Sequence, residues 1–347
     1  MPEVTAGASV HRDKLYKDDE GKVLLPKREH TEFASIHEYA SGLARNGVPV
    51  VPGAGGTIWV RHDAGAMMRV PRFHMAPPTD GEARQVTWRG RAAASSHIQK
   101  PDERHPANAC LYVCTDSTYG MEKLPSAMRR NVRRGIKELR IAWLTADELL
   151  TSGKAAYCET RARAGLSDGT EDEFFKRFRW RAKCPGHVFL GAWRDNQLAA
   201  FLSLIEVDDW VEIESCYSGN DLLQFRPNDT LMYTVLAHYL RQSECRVVSY
   251  GLSSIQAENN AVGLYAFKRK VGFDAPPVHR VFTLHPLLRP FSNRLALRSM
   301  TMALRVCPEG RLLKKAEGML AYMHGADRAP PKWQQEQARS IGDGSHN

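Results

Sequence analysis

Two carboxylates alternate along a strand-like run in the second half of the chain. Glu212 and Glu214 lie two residues apart within Trp210–Tyr217, and alternate side chains of a strand project from the same face. If that face lines a cleft, either carboxylate can act as a general base that removes a proton from an acceptor amine. If the face is open to solvent, the pair is only polar surface.

A lysine follows on a helical run. Lys268 lies within Ala261–Lys270, beside an apolar face formed by Leu264, Phe267 and Val271. A lysine at the boundary of such a face can direct its ammonium group into a cleft and stabilise an oxyanion or a phosphate. Alternatively, Lys268 belongs to an exposed basic cluster with the two residues that follow it.

A third group of residues lies where a helix is predicted to begin. Thr230–Leu240 is amphipathic, and Arg226, Asn228 and Thr230 come at or just before its start. Backbone N–H groups at a helix N-terminus bind phosphate together with the helix dipole, so these three residues are candidates for binding a donor phosphate. Asn228 or Asp229 can instead serve only as the N-cap of this helix.

The segment 123–140 is strongly basic. Its apolar residues recur at helical spacing, and seven lysines and arginines surround them. Arg130 and Arg134 are the residues that we expect to contact phosphates of a nucleotide or a tRNA, because a guanidinium group binds phosphate oxygens bidentately. A solvated helix face is the alternative.

These candidates require a strand-rich core to position them. Three strand-like runs, 187–193, 198–207 and 210–217, are separated by short polar turns that favour a hairpin meander. A helix at 230–240, a strand at 246–250, a helix at 261–270 and a strand at 279–285 are predicted to follow.

In the first half of the chain, the sequence patterns that predict helices and strands are weaker. Ser35–Asn46 is predicted to be a helix with a Ser35–Glu38 capping box. Strands are expected at 57–61, 67–74 and 109–114, and 77–106 is expected to be mainly loop. We divide the chain into a flexible N-terminus (1–30), a first half (31–122), a second half (123–290) and a basic helical extension with a disordered tail (291–347).

The composition narrows the function classes. The 347 residues carry a net charge of +9, no N-terminal apolar segment and no transmembrane-length apolar run. The seven cysteines include no Cys-x-x-Cys pair, which favours buried free thiols and a cytoplasmic location. The histidines lack metal-binding spacing, and no Gly-x-Ser-x-Gly motif occurs, so we expect neither a metal site nor a serine hydrolase.

Three segments resemble the FemAB-like branch of the GNAT acyltransferase superfamily. Residues 123–137 are similar to its arginine-rich helix, and 215–231 to its strand, proline-containing loop and helix start. In 263–273, Tyr265 and Lys268 match an aromatic-x-x-Lys element that ends in Gly-Phe. The order of predicted elements in the second half is also that of the GNAT fold, and the resemblance covers about residues 110–285.

The resemblance implies an α/β (α+β) fold of two tandem GNAT-like halves with mixed, largely antiparallel sheets, followed by basic helices. It implies that Lys268 binds or stabilises the reacting acyl group, and we place Tyr265 with it. The phosphate loop departs from the usual GNAT pattern, because the segment that follows Arg226 has neither of the expected glycines. That departure is common in the FemAB-like branch, and it counts against ordinary acetyl-CoA binding.

We therefore expect an acyltransferase that uses acyl-CoA as co-substrate, without a tightly bound cofactor, and acts on a small-molecule or peptide acceptor. The resemblance and the basic charge leave open a FemAB-type enzyme that forms peptide bonds from aminoacyl-tRNA. A hypothesis of another class is a non-catalytic module on a degenerate GNAT fold. Such a module would bind RNA, or a membrane surface through the basic C-terminal helices.

Overall fold

The computed structural model describes residues 16–17, 23–25, 32–62, 65–166, 169–241, 244–253, 261–307 and 310–324. The strands are β1 (Tyr16–Lys17), β2 (Val23–Leu24), β3 (Val50–Pro52), β4 (Ile58–Arg61), β5 (Ala66–Val70), β6 (Ala94–Gln99), β7 (Ala109–Cys114), β8 (Arg140–Trp143), β9 (His187–Arg194), β10 (Gln197–Val207), β11 (Trp210–Ser218), β12 (Val247–Leu252) and β13 (Pro277–Leu284). The helices are α1 (Ile36–Arg45), α2 (Asp80–Arg89), α3 (Ser126–Glu138), α4 (Ala146–Arg163), α5 (Glu171–Arg181), α6 (Pro227–Tyr239), α7 (Ala261–Val271), α8 (Arg294–Val306) and α9 (Arg311–Met323).

Eleven strands form one mixed sheet. Its order is β3-β4-β5-β6-β13-β7-β12-β11-β10-β9-β8. Neighbouring strands are antiparallel except for two pairs, β5 with β6 and β11 with β12, which are parallel. The predicted meander is confirmed, because β9, β10 and β11 pair in sequence order through tight turns.

The two parallel pairs mark the equivalent point of two similar halves. In each half three antiparallel strands are followed by a helix, α2 or α6, and then by a strand parallel to the third. The last strand of each half is exchanged, because β7 lies beside β12 and β13 lies beside β6. The sheet is therefore continuous across both halves, and residues of one half can complete a site of the other.

Helices cover the two faces of the second half. On one face, α3 and α6 pack over the largest core cluster, which contains Val132, Leu231 and Leu236. On the other face, α4 and α5 pack over an aromatic cluster that contains Phe174 and Phe178. Helix α4 runs through Gly153 without a break, and a Cβ atom at that position would lie 3.2 Å from Phe174 and 3.3 Å from Phe201.

The expectation of a loop-dominated 77–106 is wrong. This segment contains α2, which Thr79 caps, and β6, whose first five residues are all buried. The helix shows little amphipathicity in sequence, and the strand Ala94–Gln99 contains two serines and a histidine. Its polar side chains are accommodated by specific partners, such as the Ala83 carbonyl that accepts a hydrogen bond from Ser95 at 3.1 Å.

The start of α6 also differs from expectation. The helix begins at Pro227, so neither Asn228 nor Asp229 is its N-cap. Arg226 occupies the capping position in a left-handed conformation, with φ of 61°, and caps no backbone group with its side chain. Asp229 instead accepts a hydrogen bond at 2.8 Å from Asn131 of α3, which ties the two helices together.

Gly135 allows α3 to approach α6 closely. A Cβ atom at this position would lie 1.8 Å from Oγ1 of Thr230 and 3.2 Å from the Phe225 carbonyl oxygen. Thr230 is fully buried, so its side chain has no space into which it can move.

Gly135→Ala is therefore expected to lower the free energy of unfolding by about 1–3 kcal/mol, the usual cost of overpacking a core. Gly263→Ala in α7 is the matched control. A Cβ atom there meets nothing within 4 Å, and the change is expected to stabilise the protein by up to about 1 kcal/mol through helix propensity. Urea unfolding of both variants measures the difference, and equal effects would show that Thr230 does not limit this packing.

The C-terminal helices dock on the first half of the sheet. Leu320 of α9 packs with Ala94 and Leu284, and the Tyr322 hydroxyl donates to the Asn108 carbonyl. Helix α8 packs on α9, but Leu295, Met302 and Val306 remain exposed. None of the helices in the described part of the chain is long and apolar enough to cross a membrane.

All seven cysteines are free, as expected, but not all of them are buried as the sequence predicts. Four of them, Cys110, Cys114, Cys184 and Cys245, are buried, whereas Cys307 is exposed. Cys110 and Cys114 both lie on β7 at the centre of the sheet, where they are part of the largest core cluster. These thiols are packing residues of the core.

Candidate active site

A cleft lies where the two halves meet on the α5 face of the sheet. Its empty volume is about 630 Å³, including the part that opens to solvent. The first half contributes α1, β4, β5 and Arg72, and the second half contributes the end of α5 and strands β9 to β11. The predicted carboxylates, Glu212 and Glu214, both line this cleft, so the pair is not polar surface.

Glu212 is a buried carboxylate that forms an ion pair but has one oxygen without a hydrogen bond. The residue is 2% exposed, and Nε of Arg72 lies 3.1 Å from its Oε1 atom. The contact lacks hydrogen-bond geometry, so Oε1 accepts no hydrogen bond from the described residues. Burial raises the pKa of Glu212, Arg72 opposes this shift and Glu214 adds to it.

Glu214 has the opposite environment. Its carboxylate accepts hydrogen bonds from Arg181 at 3.1 Å and from the Ser203 hydroxyl at 2.9 Å. Burial alone would raise the pKa of Glu214, but Arg181, His187 and Ser203 outweigh it and lower the pKa to about 2. Of the two carboxylates, Glu212 is therefore the better proton acceptor and Glu214 is an ion-pair partner.

The cleft contains a histidine that sequence reasoning missed. His187 is 8% exposed, and neither of its ring nitrogens has a hydrogen-bond partner among the described residues. Burial lowers its pKa to about 4, so the imidazole is neutral at neutral pH. The rings of Tyr39 and Trp180 each lie 5.6 Å from its ring centre.

Lys268 is buried, so it does not belong to an exposed basic cluster. It is 4% exposed, and Nζ donates a hydrogen bond at 3.1 Å to the Tyr250 carbonyl. Nζ also lies 3.9 Å from the ring centre of Tyr112 and 4.0 Å from that of Tyr250, a cation–π arrangement on both sides. Burial lowers the pKa of Lys268 to about 7, although Cys110 and Glu212 oppose this shift.

The exchanged strand builds the surroundings of Lys268. Tyr112 lies on β7, which comes from the first half and is inserted beside β12. Tyr265 is buried on α7, and its ring centre lies 6.1 Å from that of Tyr112. Tyr265 therefore supports the ring on which the lysine rests and does not itself line the cleft in the described residues.

Glu212 and Lys268 approach one position of the sheet from opposite faces. Strands β11 and β12 pair from Trp210–Val247 to Glu212–Ser249 and then diverge. The side chain of Glu212 lies on the α5 face, whereas α7 packs into the core cluster on the α6 face. Each charge favours the ionised form of the other, so the two groups are electrostatically coupled across the opening between the strands.

The predicted phosphate-binding residues lie away from this cleft, at the start of α6. Arg226 is exposed, and Asn228 donates a hydrogen bond at 3.2 Å to the Ser218 hydroxyl at the end of β11. Thr230 is different, because its buried hydroxyl donates to the Arg226 carbonyl at 3.0 Å. Its side chain is thus engaged within the chain, in the packing of α6 on α3.

Arg130 and Arg134 are exposed on α3. Within the described part of the chain neither forms an ion pair with an acidic side chain. Gly135 follows Arg134 in sequence and packs near the Phe225 carbonyl, which precedes Arg226. The start of α6 and the basic face of α3 therefore border one positively charged surface.

The first half lacks an equivalent of the Glu212–Lys268 arrangement. The last register pair before β5 and β6 diverge is Met68–Ser96, so methionine stands where the second half has Glu212. No helix equivalent to α7 separates β6 from β7. In the described part of the chain, no group of three His, Cys, Asp or Glu side chains is placed to hold a metal ion.

Comparisons with known proteins agree with this architecture. No family model matches the sequence, and no curated protein matches it. Among solved structures, FemX has 10% identity and a TM-score of 0.52, over 76% of this chain and 95% of its own. A second structure is the C-terminal domain of an Agrobacterium fabrum protein that is named as a lysylphosphatidylglycerol synthetase. It has 13% identity and a TM-score of 0.48, over 77% of this chain and 91% of its own.

A tandem GNAT protein from the clavulanic acid biosynthesis pathway has 13% identity and a TM-score of 0.36, over 66% of this chain and 79% of its own. The likeness to FemX and the duplicated strand order point to the same fold. Both parallel strand pairs, the two meanders and the continuous sheet are those of a tandem architecture. The chain therefore has the fold of FemX, as the resemblance to the FemAB-like branch implies.

Proposed function

We propose that this protein transfers an acyl group from an activated donor to an amine or hydroxyl acceptor. The observation that carries the proposal is that Glu212 and Ser249 end the pairing of β11 with β12, and that Nζ of Lys268 donates to the carbonyl of Tyr250, the next residue on β12. A buried base beside a buried cation suits acyl transfer, which needs proton removal from the nucleophile and stabilisation of an oxyanion. The FemAB-like fold supports the same reaction class.

In the proposed reaction the acceptor nitrogen or oxygen attacks the donor's carbonyl carbon. The carbonyl π electrons move to oxygen, and the ammonium group of Lys268 stabilises the resulting negative charge. Glu212 accepts the proton that the acceptor loses. Collapse of the tetrahedral intermediate breaks the bond to the donor's leaving group, a thiolate or an alkoxide, which takes up the proton. Tyr265 acts as a positioning residue through Tyr112.

The donor that we propose is acyl-CoA. Its phosphates would be bound by Arg226, Asn228, Arg130 and Arg134 at the surface shared by α6 and α3. A glycine-rich loop is absent there, and the Asp229 carboxylate lies in the first turn of α6. Arginine side chains would therefore replace most of the backbone contacts that a glycine-rich loop supplies.

A second candidate donor is aminoacyl-tRNA. It is favoured by α3, whose exposed Arg130, Arg133, Arg134 and Lys137 have no acidic partner among the described residues. Four such charges along one helix suit the phosphates of a nucleic acid backbone. The acyl group would then be an aminoacyl ester, and the product with an amine acceptor would be a peptide bond.

The test is a transfer assay with both donors. Purified protein is incubated with an amine acceptor panel and either acetyl-CoA and longer acyl-CoAs or a mixture of radiolabelled aminoacyl-tRNAs. Mass spectrometry detects acylated products of the first reaction, and acid-soluble label detects those of the second. The donor is assigned as the one from which the wild-type protein transfers the acyl group and a Lys268→Met variant does not. The absence of transfer with both donors and all acceptors would contradict the proposal.

The double substitution Arg130→Gln and Arg134→Gln is expected to weaken donor binding. For acyl-CoA, KM should rise about tenfold with little change in kcat, because the phosphates bind equally in the ground state and transition state. For tRNA, the slope of log K against log salt should become smaller by roughly 1.5.

Arg298→Gln with Arg305→Gln on α8 is the matched control for this substitution. Both arginines are exposed, and neither has an acidic partner among the described residues, but they lie on another helix. The control should leave both measurements unchanged. Equal effects of the two double variants would assign the change to net charge and not to α3.

A further inference from the structure

The cleft retains four buried polar atoms without hydrogen-bond partners among the described residues. They are Nδ1 and Nε2 of His187, Nε of Arg181 and Oε1 of Glu212. All three residues line the same cleft. Buried polar atoms nearly always have a hydrogen-bond partner, because a buried polar atom without one destabilises the folded state. Four on one cavity wall indicate a site that a polar ligand completes.

The unpaired atoms lie at two ends of one row across the sheet. His187 on β9 is the register partner of Ile205 on β10, and Ile205 is the register partner of Glu212 on β11. Register partners project from the same face, and two strand spacings separate the outer members by roughly 10 Å. A ligand that satisfies both ends therefore carries two polar groups separated by a short spacer.

The two ends differ in hydrogen-bonding character. At the His187 end the atoms without partners include two donors, Nε–H of Arg181 and one ring N–H of His187. At the other end the atom without a hydrogen bond is Oε1 of Glu212, an acceptor that lies beside Arg72. The His187 end thus suits a group with two acceptor oxygens, such as a carboxylate, and the Glu212 end suits a group that donates a hydrogen bond.

We infer that the cleft binds the acceptor as an amino-carboxylate, with its amine at Glu212 and its carboxylate at Arg181 and His187. This inference rests on the proposed acyl transfer, because Glu212 is there the base that deprotonates the amine. Nε–H of Arg181 and one N–H of His187 are two donors for the two carboxylate oxygens. The aromatic rings of Tyr39 and Trp180 border the carboxylate end.

The experiment measures binding without any donor, so that it does not depend on transfer. Isothermal titration calorimetry compares 4-aminobutyrate and 6-aminohexanoate with hexylamine and hexanoate, which each lack one polar end. We expect an amino-carboxylate to bind about tenfold or more tightly than either one-ended probe, the loss that follows removal of a hydrogen bond to a charged group. The preferred chain length reports the separation of the two ends.

His187→Phe tests the assigned residue. Phenylalanine keeps an aromatic ring between Tyr39 and Trp180 but removes both ring nitrogens, and it should lower amino-carboxylate affinity about tenfold without changing hexylamine affinity. His187→Gln is the second variant if the first does not fold. His97→Phe is the matched control, since His97 is also 8% exposed with an unpaired Nδ1 but lies outside the cleft.

Three results would overturn the inference. They are equal binding of hexylamine and 6-aminohexanoate, unchanged affinity in His187→Phe, and no binding of any probe at concentrations up to roughly 10 mM. Amino-carboxylate binding without acyl transfer from either donor would keep the assigned ligand and contradict the proposed function. Acyl transfer to amines without a preference for amino-carboxylates would support the proposed function and contradict the assigned ligand.

Discussion

Lys268→Met is expected to lower kcat by about 10²–10³-fold, the usual effect of removing one group that stabilises an oxyanion. Methionine has nearly the length of the lysine stem, so it fills the space between the rings of Tyr112 and Tyr250. It cannot stabilise negative charge on the donor's carbonyl oxygen. Because that charge develops only in the transition state, kcat and kcat/KM should fall together, with KM almost unchanged.

The pH dependence of stability shows whether the lysine is neutralised by burial. The folded protein holds Lys268 with a pKa of about 7, against an ordinary value of 10.5. Between these two values the unfolded chain carries a proton that the folded chain has released, so wild-type stability rises with pH in this window. Lys268→Met lacks this contribution, and its stability relative to wild type should improve as pH falls from 10 to 7.

Lys270→Met is the control for Lys268→Met. Lys270 lies two residues further along α7 and is exposed, so its removal takes away the same formal charge at the surface. It should change neither kcat nor the pH dependence of unfolding. A normal kcat in Lys268→Met would remove the lysine from the proposed mechanism, whatever its effect on stability.

The second half could be predicted well because its elements carry local signals. Helix α5 has clear local signals, since Thr170 caps it and acidic residues fill its first turn. The three strands of the meander are rich in β-branched and aromatic residues, and tight turns separate them. The periodicity of hydrophobic residues and the residue types in the turns sufficed to predict these elements, because each element is specified by its own residues.

The first half and the strand exchange could not be predicted in the same way. Strand β6 is Ala-Ser-Ser-His-Ile-Gln, and it is buried because β13, nearly 180 residues later, covers one of its edges. Nothing local in β7 or β13 indicates that each lies beside a strand of the other half. Pairing of this kind depends on tertiary packing, which propensity does not describe.

Of the candidate site, too, the sequence could predict only the residues that have a local signal. Glu212, Glu214 and Lys268 could be proposed from alternation and motif, but their roles could not be separated. Arg72, which contacts Glu212, comes from the first half of the chain. Arg181, which contacts Glu214, is the last residue of α5, a helix that packs on one face of the sheet. Those two contacts set the opposite pKa directions of the two carboxylates. His187 has no local signal, since it opens a strand as many polar residues do.

Glu212→Gln should therefore affect mainly the rate of acyl transfer, and Glu214→Gln mainly the free energy of unfolding. Glu212→Gln is expected to lower kcat by about 10²–10⁴-fold, because glutamine cannot accept the acceptor's proton. The pKa of Glu212 is raised by burial, so ionisation of this group costs stability as pH rises above the ordinary value of 4.5. A neutral glutamine removes that cost, and the variant should be at least as stable as wild type at pH 7.

Glu214→Gln should show the opposite pattern. It leaves Arg181, whose side chain is 12% exposed, without its carboxylate, and the loss of one partner from a buried pair costs about 3–5 kcal/mol. Because the pKa of Glu214 is lowered to about 2, the stabilisation is present above its ordinary value of 4.5 and is lost as pH falls toward 2. Urea unfolding between pH 3 and 7 measures the convergence of variant and wild type. If Glu214→Gln instead stops transfer without loss of stability, the two carboxylates exchange their assigned roles.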